Sequence, residues 1–205
     1  MPISNEHIVW IDCEMTGLDP LADALIEVAV LVTDSELNIL GDGVDVVIRP
    51  EPGALDRMGD FVRHMHTESK LLDELPHGIT MAEAEQQVLE YITAWVPTPN
   101  KAQLAGNSVG MDRMFLARDM PAVIDHLHYR IIDVSTIKEL SRRWFQRAYF
   151  QSPAKTGNHR ALGDIKDSIN ELKYYRESVF VPAPGPDSDK AKRIAARFVS
   201  RAEAE

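Results

Sequence analysis

The chain has 205 residues, 44% of them hydrophobic, which suits one α/β domain with a proper core rather than a disordered or fibrous chain. Its formal net charge of −10 excludes the basic footprint of a protein that grips long nucleic acid, duplex or single-stranded. The single cysteine, Cys13, excludes an intramolecular disulfide and fits a reducing cytoplasm, and no membrane segment or secretory leader is expected, since runs such as 28–32 are too short to cross a bilayer.

Residues 7–12 (HIVWID) are an apolar run ending in an acid. The stretches 25–33 (LIEVAVLVT) and 44–48 (VDVVI) are rich in β-branched residues, with the turn-like TGLDP and GDG between them. Three consecutive strands follow from this, antiparallel because the connections are short. Ile8 to Ile11 show no polar alternation, which predicts a strand covered on both faces.

The period changes at Thr80, which forms a capping-box pattern with Glu83. Ala84, Val88, Tyr91, Ile92 and Trp95 then recur at helical spacing until Pro97. A short strand is expected over 102–106 (AQLAG). After it comes a helix capped by Asn107 or Ser108 and carrying Met114, Phe115 and Arg118. Pro121 starts another helix; 130–134 (RIIDV) reads as a strand and 136–147 as a helix. From about His159, the residues Ala161, Ile165, Ile169, Leu172 and Val179 mark a long amphipathic helix. Residues 181–189 (VPAPGPDSD) are a Pro-rich break. The basic tail from Lys190 is weakly amphipathic through Ile194 and Phe198, open between a docked helix and a frayed end. A strand meander followed by alternating helix and strand predicts a mixed β-sheet with helices on both faces, of the ribonuclease H-like type.

Asp12 and Glu14 stand two apart at the end of a buried strand, so both carboxylates project from one face and Cys13 from the other. Two acids converging there repel and are desolvated unless a cation joins them, and hard divalent ions with oxygen ligands suit such a pair. Asp112, in GNSVGMDRMFL, belongs in the first turn of its helix, where the helix dipole favours a carboxylate even without a function. His159 and Asp164, in NHRALGDI, are five residues apart. They would not share a face mid-helix, so a common site needs His159 in the loop or first turn, and Gly157 and Asn158 favour a loop. A histidine there suits deprotonation of water near neutral pH. Four acids and one histidine at element ends are the inventory of phosphodiester hydrolysis by two metal ions.

IDCEMTGLDP, GNSVGMDRMFL and NHRALGDIKDSINELKYY resemble the three exonuclease motifs of the DEDDh group, and the first and last resemble the oligoribonuclease family in particular. The similarity runs from about His7 to Phe180, which implies an exonuclease domain over 1–181 and a separate break and tail over 182–205. It implies that Asp12, Glu14, Asp112 and Asp164 bind two Mg²⁺ or Mn²⁺ ions and that His159 is the general base. It further implies 3′→5′ release of 5′-mononucleotides from short single-stranded RNA down to dinucleotides, by a cytoplasmic homodimer.

Other positions carry over one by one. Leu18 resembles an apolar wedge against the bases, the alternative being a turn leucine packed inward. His66, with His64 as its rival, matches a substrate-side histidine. Phe61 stands where the family usually has Trp; it can stack but lacks the indole donor. Ser108, Tyr129, Arg130 and Ser135 resemble a pocket that caps the substrate's 5′ phosphate, with Tyr129 acting across the dimer. A closed cap accounts for short substrates on an acidic protein. Two other readings are a DNA-directed proofreading or trimming relative, which needs a longer basic path, and a nucleotide-binding module that keeps the fold without the activity.

Overall fold

The computed structural model describes residues 6–155 and 159–202, with side chains through residue 198. Strands β1 (Ile8–Met15), β2 (Leu25–Thr33) and β3 (Ile39–Val47) form an antiparallel meander. β4 (Gln103–Gly106) and β5 (His128–Asp133) then add parallel to β1, giving one sheet in the order β3-β2-β1-β4-β5. The expected mixed sheet is present, and β3 begins five residues before the predicted 44–48. The early start is possible because Gly43 bends the strand with φ +87°; a Cβ there would lie 2.8 Å from the Val30 carbonyl oxygen, where the β2–β3 register shifts.

Alternation along β1 decides what covers each face. Val9, Ile11 and Cys13 join a core with α3 (Met81–Trp95), through Ala84, Val88 and Ile92, and with α4 (Gly110–Asp119), through Phe115 and Leu116. Trp10 lies on the opposite face with Ala161, Ile165 and Ile169 of α8 (Ala161–Ser178). Both faces are therefore helix-covered, as the unalternated apolar run predicts, and all nine residues of β2 are buried. The capping box at Thr80 is formed: its hydroxyl accepts from the Glu83 amide at 3.3 Å, and its own amide donates to Glu83 at 2.9 Å.

Three local expectations change. Neither Asn107 nor Ser108 caps α4, whose N-cap is Val109 without a side-chain bond. Asn107 is drawn inward instead, donating to Ser168 at 2.8 Å and to Glu171 at 3.1 Å. The helix expected over 136–147 starts earlier as α6 (Val134–Trp144), with the Asp133 side chain accepting the Ser135 amide. It breaks at Phe145 before α7 (Gln146–Phe150). The tail forms α9 (Ser188–Ala202), helical yet undocked, with Phe198 70% exposed. The loop expected at Gly157 and Asn158 lies outside the described residues. Among the described residues, no helix is long and apolar enough to cross a membrane.

Candidate metal centre and active site

β1 reaches further than its neighbour. β4 pairs with it only at Ile8–Trp10, so the last residues of β1 have one side open. At that opening the Cys13 amide donates to Asp112 Oδ1 at 3.0 Å, which ties the first turn of α4 to the strand end. On the α8 face, Asp12 and Glu14 meet Asp164 from the first turn of α8, their ligand oxygens all within 4.8 Å of one another. Asp112 stands beside this trio, with one oxygen committed to the Cys13 amide. The β1 acids thus project to one face and Cys13 to the other, Asp112 lies in the first turn of its helix as expected, and Asp164 is found in the first turn of α8.

Electrostatics show what such a cluster demands. Burial pushes Asp12 well up, and Asp112, Glu14 and Asp164 add to the rise by repulsion. Glu14 is pushed up to about 8 by burial, then by Glu27, Asp164 and Asp112. Asp112 is raised to about 6 by burial, against the hydrogen bonds that its own and the Cys13 amide donate. Burial also raises Asp164, opposed by the nearby His159 and Lys155. Four converging carboxylates, each disfavoured as an anion, form a donor set complete except for positive charge. Hard divalent ions with oxygen ligands fit that set.

His159 is exposed and lies outside α8, with a left-handed φ of +47°, as a site shared with Asp164 requires. His66 is buried; its Nε2–H donates to the Met15 carbonyl at 2.9 Å, and its Nδ1 sits 3.9 Å from Glu14 Oε2 without a hydrogen-bond partner. His64 is exposed, so the histidine facing the acids is His66. Burial lowers the His66 pKa, leaving the ring neutral and Nδ1 an acceptor.

Leu18 is 68% exposed, so it is not an inward-packed turn residue. Its loop is braced by Asp23, which accepts from the Asp19 amide at 2.8 Å and the Thr16 hydroxyl at 3.4 Å. A Cβ at Gly17 would fall 2.3 Å from that carboxylate, so a side chain there would push Asp23 out of these bonds. Phe61 is 80% exposed in α1 (Asp60–Glu68), five residues before His66.

The four cap residues fall into two pairs. Ser108, at φ +55°, donates its amide to Asp133 at 3.0 Å and to Ser135 Oγ at 2.8 Å, with the two serine hydroxyls 3.1 Å apart. Tyr129 and Arg130 are exposed on β5, where Arg130 Nε donates to the Tyr129 hydroxyl at 3.1 Å and the guanidinium covers its ring.

One residue of the site is not signalled by any motif. Glu27 on β2 lies directly opposite Glu14 and is fully buried. It accepts from Arg160 Nε at 2.8 Å and from the Ala161 amide at 3.2 Å. The available signal is a lone charge within LIEVAVLVT, which must find a partner once buried.

A model of the exonuclease (RNase_T) family matches residues 9–172, a span that contains the whole acid cluster. An oligoribonuclease of Streptomyces griseus is 67% identical over 194 residues, covering 95% of this chain and 96% of its own. One of Mycobacterium avium is 55% identical over 193 residues, covering 94% and 90%. Among solved structures, E. coli exonuclease I in complex with a dT13 oligonucleotide is similar at TM-score 0.62 and 15% identity, over 84% of this chain and 41% of that one. This chain therefore spans about two fifths of that protein, and the likeness is one of fold.

Proposed function

The chain belongs to the exonuclease family and, within it, to the oligoribonucleases, and on that footing we propose that it hydrolyses short oligoribonucleotides from the 3′ end, down to dinucleotides, releasing 5′-mononucleotides. The observation that carries the reading is the convergence of Asp12, Glu14 and Asp164 within 4.8 Å at the open end of β1. In it, Asp12, Glu14, Asp112 and Asp164 hold two divalent ions, Mg²⁺ or Mn²⁺. Bound there, such ions would acidify a water and stabilise the leaving oxygen.

The chain's own residues do the remaining work. His159, exposed beside Asp164, accepts the proton of the attacking water, and its outward position lets it pass that proton to solvent. His66, buried with its bare Nδ1 facing Glu14, is the substrate-side histidine of this reading. Leu18 and Phe61 offer apolar surface to the terminal bases. Ser108 and Ser135, with Arg130, bind the 5′ phosphate and close the pocket beyond it. The domain division at 181/182 belongs to this reading; the family match ends at residue 172. A cytoplasmic location accords with the one free, buried cysteine.

The capped pocket is tested with 5′-phosphorylated RNA of graded length in Mg²⁺. A dinucleotide is expected to turn over roughly 100-fold faster than a strand of about twenty residues. Equal rates per end would remove the cap from the account.

Homodimerisation is part of the proposal. β5 is the last strand of the sheet, and Tyr129, Trp144, Phe145 and Phe150 lie exposed on it and on the helices that follow. An apolar face around an open sheet edge suits a second copy, which would bring Tyr129 toward the neighbouring cap. Trp144→Glu should shift the protein from dimer to monomer in sedimentation equilibrium. A wild-type monomer at micromolar concentration would refute the dimer.

A further inference from the structure

His159 occupies a left-handed backbone conformation that is uncommon for a non-glycine residue and persists where its surroundings support it. The next residue supplies such support. Arg160 is the N-cap residue of α8, and its guanidinium joins two carboxylates from different parts of the fold. Nε donates to Glu27 Oε1 at 2.8 Å, while Nη1 and Nη2 donate to Glu74 Oε1 and Oε2 at 2.8 and 3.0 Å. The Arg160–Glu74 pair is a two-pronged contact, which fixes direction as well as distance.

Glu27 completes the arrangement. One oxygen takes Arg160 and the other takes the Ala161 amide, the first residue of α8. A single buried side chain on β2 therefore anchors both residues that follow His159. It does so from the position facing Glu14 across the β1–β2 ladder. Glu74 ends α2 (Leu71–Glu74), the short helix that follows α1, which carries Phe61 and His66. The clamp thus links three things: the strand of the acids, the start of the helix that bears Asp164, and the substrate-side helices.

We propose that Arg160 is a positioning residue, which holds His159 in its working orientation by clamping Glu27 to Glu74. The inference rests on the reading of His159 as general base. Charge neutralisation of Glu27 alone would need only the contact to Glu27; the fork to the half-exposed Glu74 adds a second fixed point to the residue that follows His159. A lysine could neutralise Glu27 but could not span both carboxylates in a fixed plane.

The test is a double-mutant cycle on a dinucleotide substrate with saturating Mg²⁺. Arg160→Lys, which keeps the buried charge, is expected to lower kcat by roughly 10- to 100-fold with KM changed less than about threefold. Glu74→Gln, which leaves the Arg160–Glu27 pair intact, should lower kcat several-fold and serves should the first variant fold poorly. In a His159→Ala background, either change should alter kcat by less than about twofold. The same fractional loss in both backgrounds, or a loss carried by KM, overturns the positioning role. Near-normal turnover by His159→Ala alone would instead overturn the general-base reading.

Discussion

Replacing Asp12 with Asn is expected to lower turnover by roughly 10³-fold or more while raising the melting temperature of the metal-free protein. The two effects have one cause. Asp12 is half-buried on β1 among Asp112, Glu14 and Asp164, and burial and these three acids disfavour its charge. Asparagine keeps the shape and removes that repulsion, so the chelated protein gains stability. The same change takes an anionic oxygen from the donor set and weakens its hold on a divalent ion. Initial rates in saturating Mg²⁺ and thermal melts in chelator provide the two measurements. Turnover within tenfold of wild type would leave the proposed centre without support, and a lower melting temperature would contradict the electrostatic account.

The second large effect is the pH dependence of the chelated wild-type protein. Glu14 rises from an ordinary 4.5 to about 8, so its native form holds a proton that the unfolded chain has already released. The resulting contribution is complete below about pH 4.5 and disappears as pH climbs from there to about 8. Asp112 acts in the same direction, losing its share between 3.8 and about 6. At about 1.4 kcal/mol for each tenfold change in proton affinity, the loss is of the order of a few kcal/mol, or ~10 °C in Tm for a domain of this size. Saturating Mn²⁺ or Mg²⁺ should reverse it, with a larger Tm increase at the alkaline end of the window than at the acid end, because only the anionic carboxylates bind the ion. A chelated protein whose Tm is flat or rises over this window would disprove the assignment.

Much of the site was readable because it rests on local rules. The alternation of β1 places Asp12 and Glu14 together without knowledge of the rest of the fold, and first-turn acids follow from where a helix must begin. The mixed sheet and its antiparallel meander were legible, since short connections impose antiparallel neighbours, but the order in which β4 and β5 join was not. The long-range partners were not legible. Nothing near Glu27 in sequence reveals that its counter-charge is Arg160, 133 residues away, or that the Cys13 amide will need Asp112. The caps of α4 failed for a related reason: Asn107 has better partners on α8 than its own helix offers, and capping preference is a weak force beside buried Glu171. His66 and His64 differ by two residues on one helix, so only the packing direction of α1 separates them.

The undocked helix α9 bears on how substrate arrives. It contains Lys190, Lys192, Arg193, Arg197 and Arg201 against a single acid, Asp189, so the folded body that holds the site is more negative than the chain's −10 suggests. A polyanion approaching that body meets a repulsion that grows with every phosphate it carries. A dinucleotide meets little of that repulsion and a long strand much more, so under the proposed function discrimination by length would begin with the field around the molecule, before any strand touches the pocket.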